Sequence, residues 1–235
     1  EKINDKYFKK YFDLIYRRSI NEPVAYILKK KEFWSKFFYV TKDTLIPRPE
    51  TELMVERLIK KYKNKKNISI LDMGTGSGCI IISLLSELDS SYGVGIDISH
   101  KAIEIAKKNS ISNCVDKKIK FLNISFSNYF NKKYDLIVSN PPYISKREFR
   151  CLSDDIKKFE PRIALDGGND GLDLIKKVIY KTKEILKING TLALEIGNKQ
   201  FRKVSKILIN NNFKIEFRIK DYRDNIRCII AKKLK

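Results

Sequence analysis

Ile68-Ser69-Ile70-Leu71-Asp72 runs straight into Met73-Gly74-Thr75-Gly76-Ser77-Gly78, and an apolar run from Cys79 to Leu85 follows. The first five residues read as a short buried strand, the glycines as a loop and the apolar run as a helix. Glycines tolerate positive φ and close backbone approach, so a ligand can lie against such a loop and the helix N-terminus behind it. The spacing is G-x-G-x-G after an acid, which is neither the dinucleotide fingerprint G-x-G-x-x-G nor the phosphate loop G-x-x-x-x-G-K-[ST], and no Lys follows to meet a phosphate. Asp72 beside the loop suits a cationic amino-acid group, as in S-adenosylmethionine.

Tyr92-Gly93-Val94-Gly95-Ile96-Asp97 is a second short strand ending in a carboxylate. It lies roughly 20 residues past the glycines, the separation expected for an acid that hydrogen-bonds ribose hydroxyls. Asp97 is therefore the candidate ribose ligand, with an N-cap for the helix starting near Ser99 as the plain structural alternative.

A third strand-like run, Tyr134 to Ser139, empties into Asn140-Pro141-Pro142-Tyr143. A planar NH2 group on an amide or an aromatic base has a delocalised lone pair and is a poor nucleophile, so geometry must activate it. The Asn140 side-chain oxygen and the Pro141 carbonyl can each accept one N–H, while Tyr143 covers the flat face of the group. Proline fixes its own φ and pushes the preceding residue toward extended backbone, which would hold both oxygens stiffly. The plain alternative is a turn after a strand.

Further strands are expected near 118–124 and 190–196, with helices near 50–62, 79–89, 99–112, 171–188 and 199–211. Phe213 to Ile219 alternates with period two, Asp221 to Asn225 is turn-rich, and Cys228 to Ile230 closes an antiparallel hairpin. A dinucleotide-binding domain would instead continue in parallel. Ahead of this domain, Phe8, Tyr11, Phe12, Ile15 and Ser19 share a helical face, and Glu32 to Val40 reads as an aromatic-rich connecting hairpin. Gly167 to Gly171 reads as the one obviously flexible loop, or as the start of a helix.

The three motifs in this order resemble the class I methyltransferases, and their spelling resembles the HemK/PrmC family, which methylates the glutamine side chain in the GGQ motif of class I peptide-chain release factors. The likeness covers most of the chain. It includes Glu32-Phe33-Trp34, Leu45-Ile46-Pro47-Arg48-Pro49-Glu50-Thr51-Glu52, Phe159-Glu160-Pro161 with Ala164-Leu165, Leu194-Glu195-Ile196-Gly197 and Asp224-Asn225-Ile226-Arg227. The Ile-Pro-Arg-Pro-Glu segment discriminates most sharply, because the tetrapeptide alone also occurs in DNA adenine and RNA guanine amino-methyltransferases.

The resemblance implies a Rossmann-like, mostly parallel seven-stranded sheet with a C-terminal antiparallel hairpin over 49–235. A connecting hairpin over 31–48 and a partial N-terminal helical segment over 1–30 would precede it, the latter the end of a bundle that helps recognise the release factor. It further implies that Asp72 and Gly74, Thr75, Gly76, Ser77 and Gly78 cradle the methionine part of S-adenosylmethionine and that Asp97 holds the ribose. Phe126 would stack on adenine, and Asn140, Pro141, Pro142 and Tyr143 would hold the substrate glutamine, Asn140 also facing the cofactor. S-adenosylhomocysteine would be the product. Ser125-Phe126 stands where many relatives carry an acid and an aromatic, so a backbone acceptor or Ser125 would have to meet the adenine amino group. Glu195 and Arg48 or Glu50 are second-tier site candidates, for each of which a salt bridge or helix cap is the plain reading.

A chain of 235 residues suffices for one sizeable α/β core plus a small appendage. Cys79, Cys114, Cys151 and Cys228 have no C-x-x-C spacing, and a single His100 builds no zinc site with them. They read as reduced thiols in a cytoplasm of bacterial type or an organelle matrix, and the expected reaction needs no metal. No apolar run approaches the ~20 residues of a membrane span, and there is no secretory signal pattern. A formal net charge of +21 would ordinarily suggest nucleic acid. Here the surplus is mostly dispersed Lys, which reads as a solvated, compositionally basic surface; the alternative is a positive face that speeds encounter with acidic release factors and makes weak, non-specific contact with RNA. A monomer is expected. The competing readings are an N-methyltransferase of an exocyclic amine in DNA or RNA, which calls for a target-recognition insert, a ribosomal-protein glutamine methyltransferase, and a non-catalytic binding module.

Overall fold

In the computed structural model, which describes residues 5–130 and 133–235, helix α1 (Asp5–Ser19) leads through the single turn α2 (Val24–Ile27) into an antiparallel hairpin of β1 (Lys31–Phe33) and β2 (Lys36–Phe38). Phe33 and Phe38 are fully buried and meet edge to face at 6.0 Å, so the hairpin aromatics at these two positions serve the core. The apolar face of α1 forms as its periodicity requires, with Phe8, Tyr11, Phe12 and Ile15 exposed. Residues 1–4 of the expected 1–30 segment lie outside the described residues.

The chain then alternates helix and strand: α3 (Pro49–Tyr62), β3 (Ser69–Met73), α4 (Cys79–Glu87), β4 (Tyr92–Asp97), α5 (His100–Ser112), β5 (Ile119–Asn123) and β6 (Tyr134–Ser139). Two short helices, α6 (Lys146–Arg150) and α7 (Asp154–Phe159), precede α8 (Asp173–Ile185), β7 (Leu186–Glu195) and α9 (Phe201–Asn210), and β8 (Phe213–Lys220) with β9 (Ile226–Lys233) forms the final hairpin. The seven-stranded sheet has the order β5-β4-β3-β6-β7-β9-β8. Pairs among β3 to β7 are parallel, and β9 is antiparallel to both β7 and β8.

Both faces of this sheet are covered, which is why Leu136-Ile137-Val138 is apolar at every position rather than at every second one. Ile70, Leu136, Val138 and Ile230 join one core with Met54, Leu58 and Leu84 from α3 and α4. Leu71, Ile137, Leu194 and Ile229 join the other with Ile175, Ile179 and Val204 from α8 and α9. Truncating one of these fully buried leucines to alanine costs on the order of 2–5 kcal/mol. The strand order reverses between β3 and β6, and the crevice outside the carboxyl ends of strands at such a switch point is where an open α/β sheet binds ligands.

Two local expectations change, and one segment gains elements. Helix α8 stops at Ile185 rather than near 188, because Leu186 is captured by pairing with Tyr134 at the start of β7. The strand then bulges through Asn189, whose φ is 63°, before regular pairing resumes at Thr191. Helices α6 and α7 fill a stretch for which the sequence suggested no element, and Ser145 with Glu148 forms a full capping box at the start of α6. Gly167 to Gly171 is a hydrogen-bonded loop: Gly167 N–H donates to the Ile144 carbonyl and the Lys146 N–H to the Gly168 carbonyl, tying it to the segment after the tetrapeptide.

Candidate active site

The glycine loop leaves the centre of the sheet at Met73 and is moored to the neighbouring strand. Gly74 and Thr75 N–H groups both donate to the Ile96 carbonyl, and Gly76 N–H donates to Asp97 Oδ2 at 2.9 Å. Gly78 has φ 81°, and a Cβ there would stand 2.8 Å from Ile82 Cδ1, so a side chain would be both strained and crowded against α4. Asp72 lies beneath the loop, 1% exposed, with Oδ2 accepting the Thr75 hydroxyl at 2.8 Å and Oδ1 buried without a partner. Burial raises its pKa to about 7.

Asp97 sits at the end of β4 with Oδ1 accepting from the Ser99 N–H at 2.9 Å. Burial raises its pKa, and the backbone donors Ser99 and Gly76 oppose the rise. The N-cap of α5 is Ser99, whose hydroxyl accepts from the Ala102 N–H. Asp97 is thus not the cap, and a carboxylate with about four acceptor sites keeps capacity beyond these two bonds.

Asn140-Pro141-Pro142-Tyr143 begins one residue past the end of β6, where the Ser139 hydroxyl donates to the Met73 carbonyl at 2.7 Å and so ties the two loops together. Tyr143 is fixed at both ends. Its carbonyl accepts from Gln200 Nε2 at 2.9 Å, its hydroxyl donates to Glu195 Oε1 at 3.1 Å, and Arg227 Nη2 donates to that hydroxyl at 3.0 Å.

Two cavities meet here. The larger, about 520 Å3, is lined by Gly74 to Ser77, Asp97, Phe126, Asn140 and Pro142. The smaller, about 250 Å3, is lined by Tyr143, Ile144, Arg227 and again Asn140. Leu45, Arg48, Asn140 and Ala164 belong to both, so Asn140 stands in a wall that the two share. Asp72, Gly78 and Pro141 support these cavities without lining either. Phe126 opens a short turn, Phe126–Asn128, and is half-buried on the wall of the larger cavity, while the Ser125 hydroxyl accepts from the Ser127 N–H. Cys79 also lines that cavity, and burial pushes its thiol up to about 12, which keeps it neutral.

The remaining motifs assemble the rim. Pro49 takes the first turn of α3, where its missing N–H costs nothing. Just before it, Arg48 Nη2 meets Glu160 Oε1 at 2.6 Å and Ile46 N–H reaches Glu160 Oε2 at 3.4 Å, joining the segment around Pro47 to that around Pro161. Arg48 is therefore ion-paired, and Thr51 on α3 donates to Glu195 Oε2 at 2.5 Å. Asn109, 1% exposed, was not singled out from the sequence: its Nδ2 donates to the Ser77 and Tyr39 carbonyls and its Oδ1 accepts from the Tyr39 N–H, clasping loop and hairpin together. A polar amide on the buried face of an amphipathic helix was the available signal. Gln200 was missed as well. Among the described residues, no group of three His, Cys, Asp or Glu side chains is arranged to hold a metal ion, and no helix is long and apolar enough to cross a membrane.

Known proteins resemble this chain in sequence and in fold. The family described as Methyltransferase small domain matches residues 49–156. The release factor glutamine methyltransferase of Fusobacterium nucleatum is 46% identical over 225 residues, covering 94% of this chain and 62% of that protein. The protein of the same name from Buchnera aphidicola of Acyrthosiphon pisum is 42% identical over 237 residues, covering 98% of this chain and 82% of its own length. Among solved structures, the ribosomal protein L11 methylase of Lactobacillus delbrueckii superposes with a TM-score of 0.61 at 18% identity, covering 80% of this chain and 81% of that one. At that identity the superposition establishes the class I methyltransferase fold.

Proposed function

The chain belongs to the release factor glutamine methyltransferase family, and on that premise we propose that it transfers the methyl group of S-adenosylmethionine to the side-chain amide nitrogen of the GGQ glutamine in class I peptide-chain release factors. The observation that carries this reading is Asn140 in the wall common to two cavities, one fit for a nucleoside and one small enough for a side chain.

The larger cavity fits the cofactor by its donor set. Asp97 offers carboxylate acceptors for ribose hydroxyls, Phe126 a ring for the adenine, and the partnerless Asp72 Oδ1 lies behind a loop whose cationic occupant would favour its ionised form. Bound there, S-adenosylmethionine supplies an electrophilic methyl on a positively charged sulfur. Asn140 Oδ1 and the Pro141 carbonyl accept the two amide hydrogens and turn the nitrogen toward the larger cavity, and the Tyr143 ring walls the amide's flat face. Once methylated, the nitrogen is acidic enough to pass a proton to one of these oxygens or to water, so no strong base is required. Proximity and orientation are the main source of rate, worth ~7–11 kcal/mol when geometry is good. In this reading the protein works as a monomer in the cytoplasm, and its dispersed Lys surplus gives weak, non-specific contact with RNA.

The test is to incubate the protein with labelled S-adenosylmethionine and, separately, release factor, ribosomes, tRNA and DNA. Label in release factor is expected. Label confined to nucleic acid would replace this reading with exocyclic-amine methylation.

A further inference from the structure

We propose that Glu195 is a positioning residue for methyl transfer, acting through the Tyr143 hydroxyl to hold the aromatic wall of the substrate cavity in place. The inference rests on the functional reading above and adds a role for a group outside the tetrapeptide. Glu195 ends β7, one register step past the pairing of Ser139 with Leu194, so the sheet delivers its carboxylate beside the loop that leaves β6. It is fully buried. Burying a carboxylate is costly unless its acceptors are used, and here both oxygens are: Oε2 takes the Thr51 hydroxyl and Oε1 takes the Tyr143 hydroxyl.

The cation of this cluster does not pair with the acid directly. Arg227 donates instead to the Tyr143 oxygen, so one phenol gives its proton to Glu195 and accepts from Arg227. The phenol thus uses its one donor on the acid and accepts from the cation. At the other end of the residue, Gln200 accepts from the Gly197 N–H and donates to the Tyr143 carbonyl, which fixes the main chain. Arg227 and Tyr143 line the smaller cavity, while Glu195 lines neither cavity. The carboxylate therefore works at one remove: it stops the ring from swinging into or away from the space where the amide must lie.

The experiment is a mutant cycle on the intact protein with release factor saturating and S-adenosylmethionine varied. Tyr143→Phe and Glu195→Leu, which remove the same hydrogen bond from its two ends, are each expected to lower kcat on the order of 10-fold while the cofactor KM stays unchanged. The double variant is expected to fall no further than the worse single variant, and Glu195→Gln, which keeps an acceptor oxygen, is expected to recover most of the rate. Multiplying losses in the double variant would overturn the proposal, as would Glu195→Gln behaving like Glu195→Leu. Should Glu195→Leu not fold, Tyr143→Phe decides alone: full kcat in that variant overturns the positioning role. Wild-type protein that methylates no release factor would refute the functional reading first, whereas an active wild type with a multiplicative cycle refutes only the role of Glu195.

Discussion

Asn140 and Asp97 both line the larger cavity, and their chemistry predicts opposite kinetic signatures. Asn140→Ala leaves the reacting amide misoriented, so kcat on release factor is expected to fall on the order of 10²-fold or more with cofactor affinity little changed. Asp97→Ala removes binding that ground state and transition state share, so it is expected to raise the cofactor KM and spare much of kcat at saturation. Measuring both parameters for both variants separates clamp from cradle. Near-normal kcat in Asn140→Ala would reduce the tetrapeptide to a turn. Asp72 carries a third prediction. Its folded pKa of about 7 lies above the ordinary carboxyl value of 3.8, so ionisation opposes folding. The stability penalty is absent below about pH 4, grows as pH rises toward 7 and then levels. Asp72→Asn without cofactor is therefore expected to gain stability relative to wild type across that window in denaturant titrations. A difference that does not vary with pH would contradict it.

The elements differ in how openly the sequence declares them. Strands β3, β4 and β6 are largely apolar runs with glycine or proline chemistry in or beside them, and each ends in or leads directly into residues the site uses, so sheet and motif could be read together. The end of α8 could not, because Ile185 and Leu186 continue a helical apolar pattern and only the cross-sheet partner Tyr134 makes Leu186 a strand residue. Asn109 and Gln200 escaped for a related reason: each serves groups far away in sequence, at Tyr39 and Ser77 for one and at Tyr143 and Gly171 for the other. Arg48, Glu195, Glu160, Thr51 and Tyr143 were all visible as motif residues, but that Arg48 pairs with Glu160 and that Glu195 takes the Thr51 and Tyr143 hydroxyls was not. Asn109 yields the prediction at this scale. Asn109→Ala strands the buried Ser77 carbonyl and unhooks Tyr39, each unsatisfied group costing about 1–3 kcal/mol. A clear drop in unfolding free energy, together with weaker cofactor binding by calorimetry, is expected. An unchanged midpoint would show that the clasp contributes nothing.

At the scale of the whole molecule, the net charge of +21 is carried largely by dispersed Lys, which favours encounter over specific readout. Raising salt is therefore expected to slow methylation when release factor is limiting and to leave the saturated rate nearly unchanged. A saturated rate that fell as steeply as the limiting one would place the charges in the chemical step instead. The sheet brings a nucleoside-sized cavity and a side-chain-sized one together at Asn140, and that convergence has meaning only if the methyl lands on the amide presented there. The most direct measurement is mass-spectrometric location of the methyl group after a complete reaction of the protein with release factor and S-adenosylmethionine. The expected product carries it on the side-chain nitrogen of the GGQ glutamine, and a release factor with glutamate at that position gains none. A methyl group elsewhere in the release factor, or undiminished transfer to the glutamate variant, would contradict the proposed function.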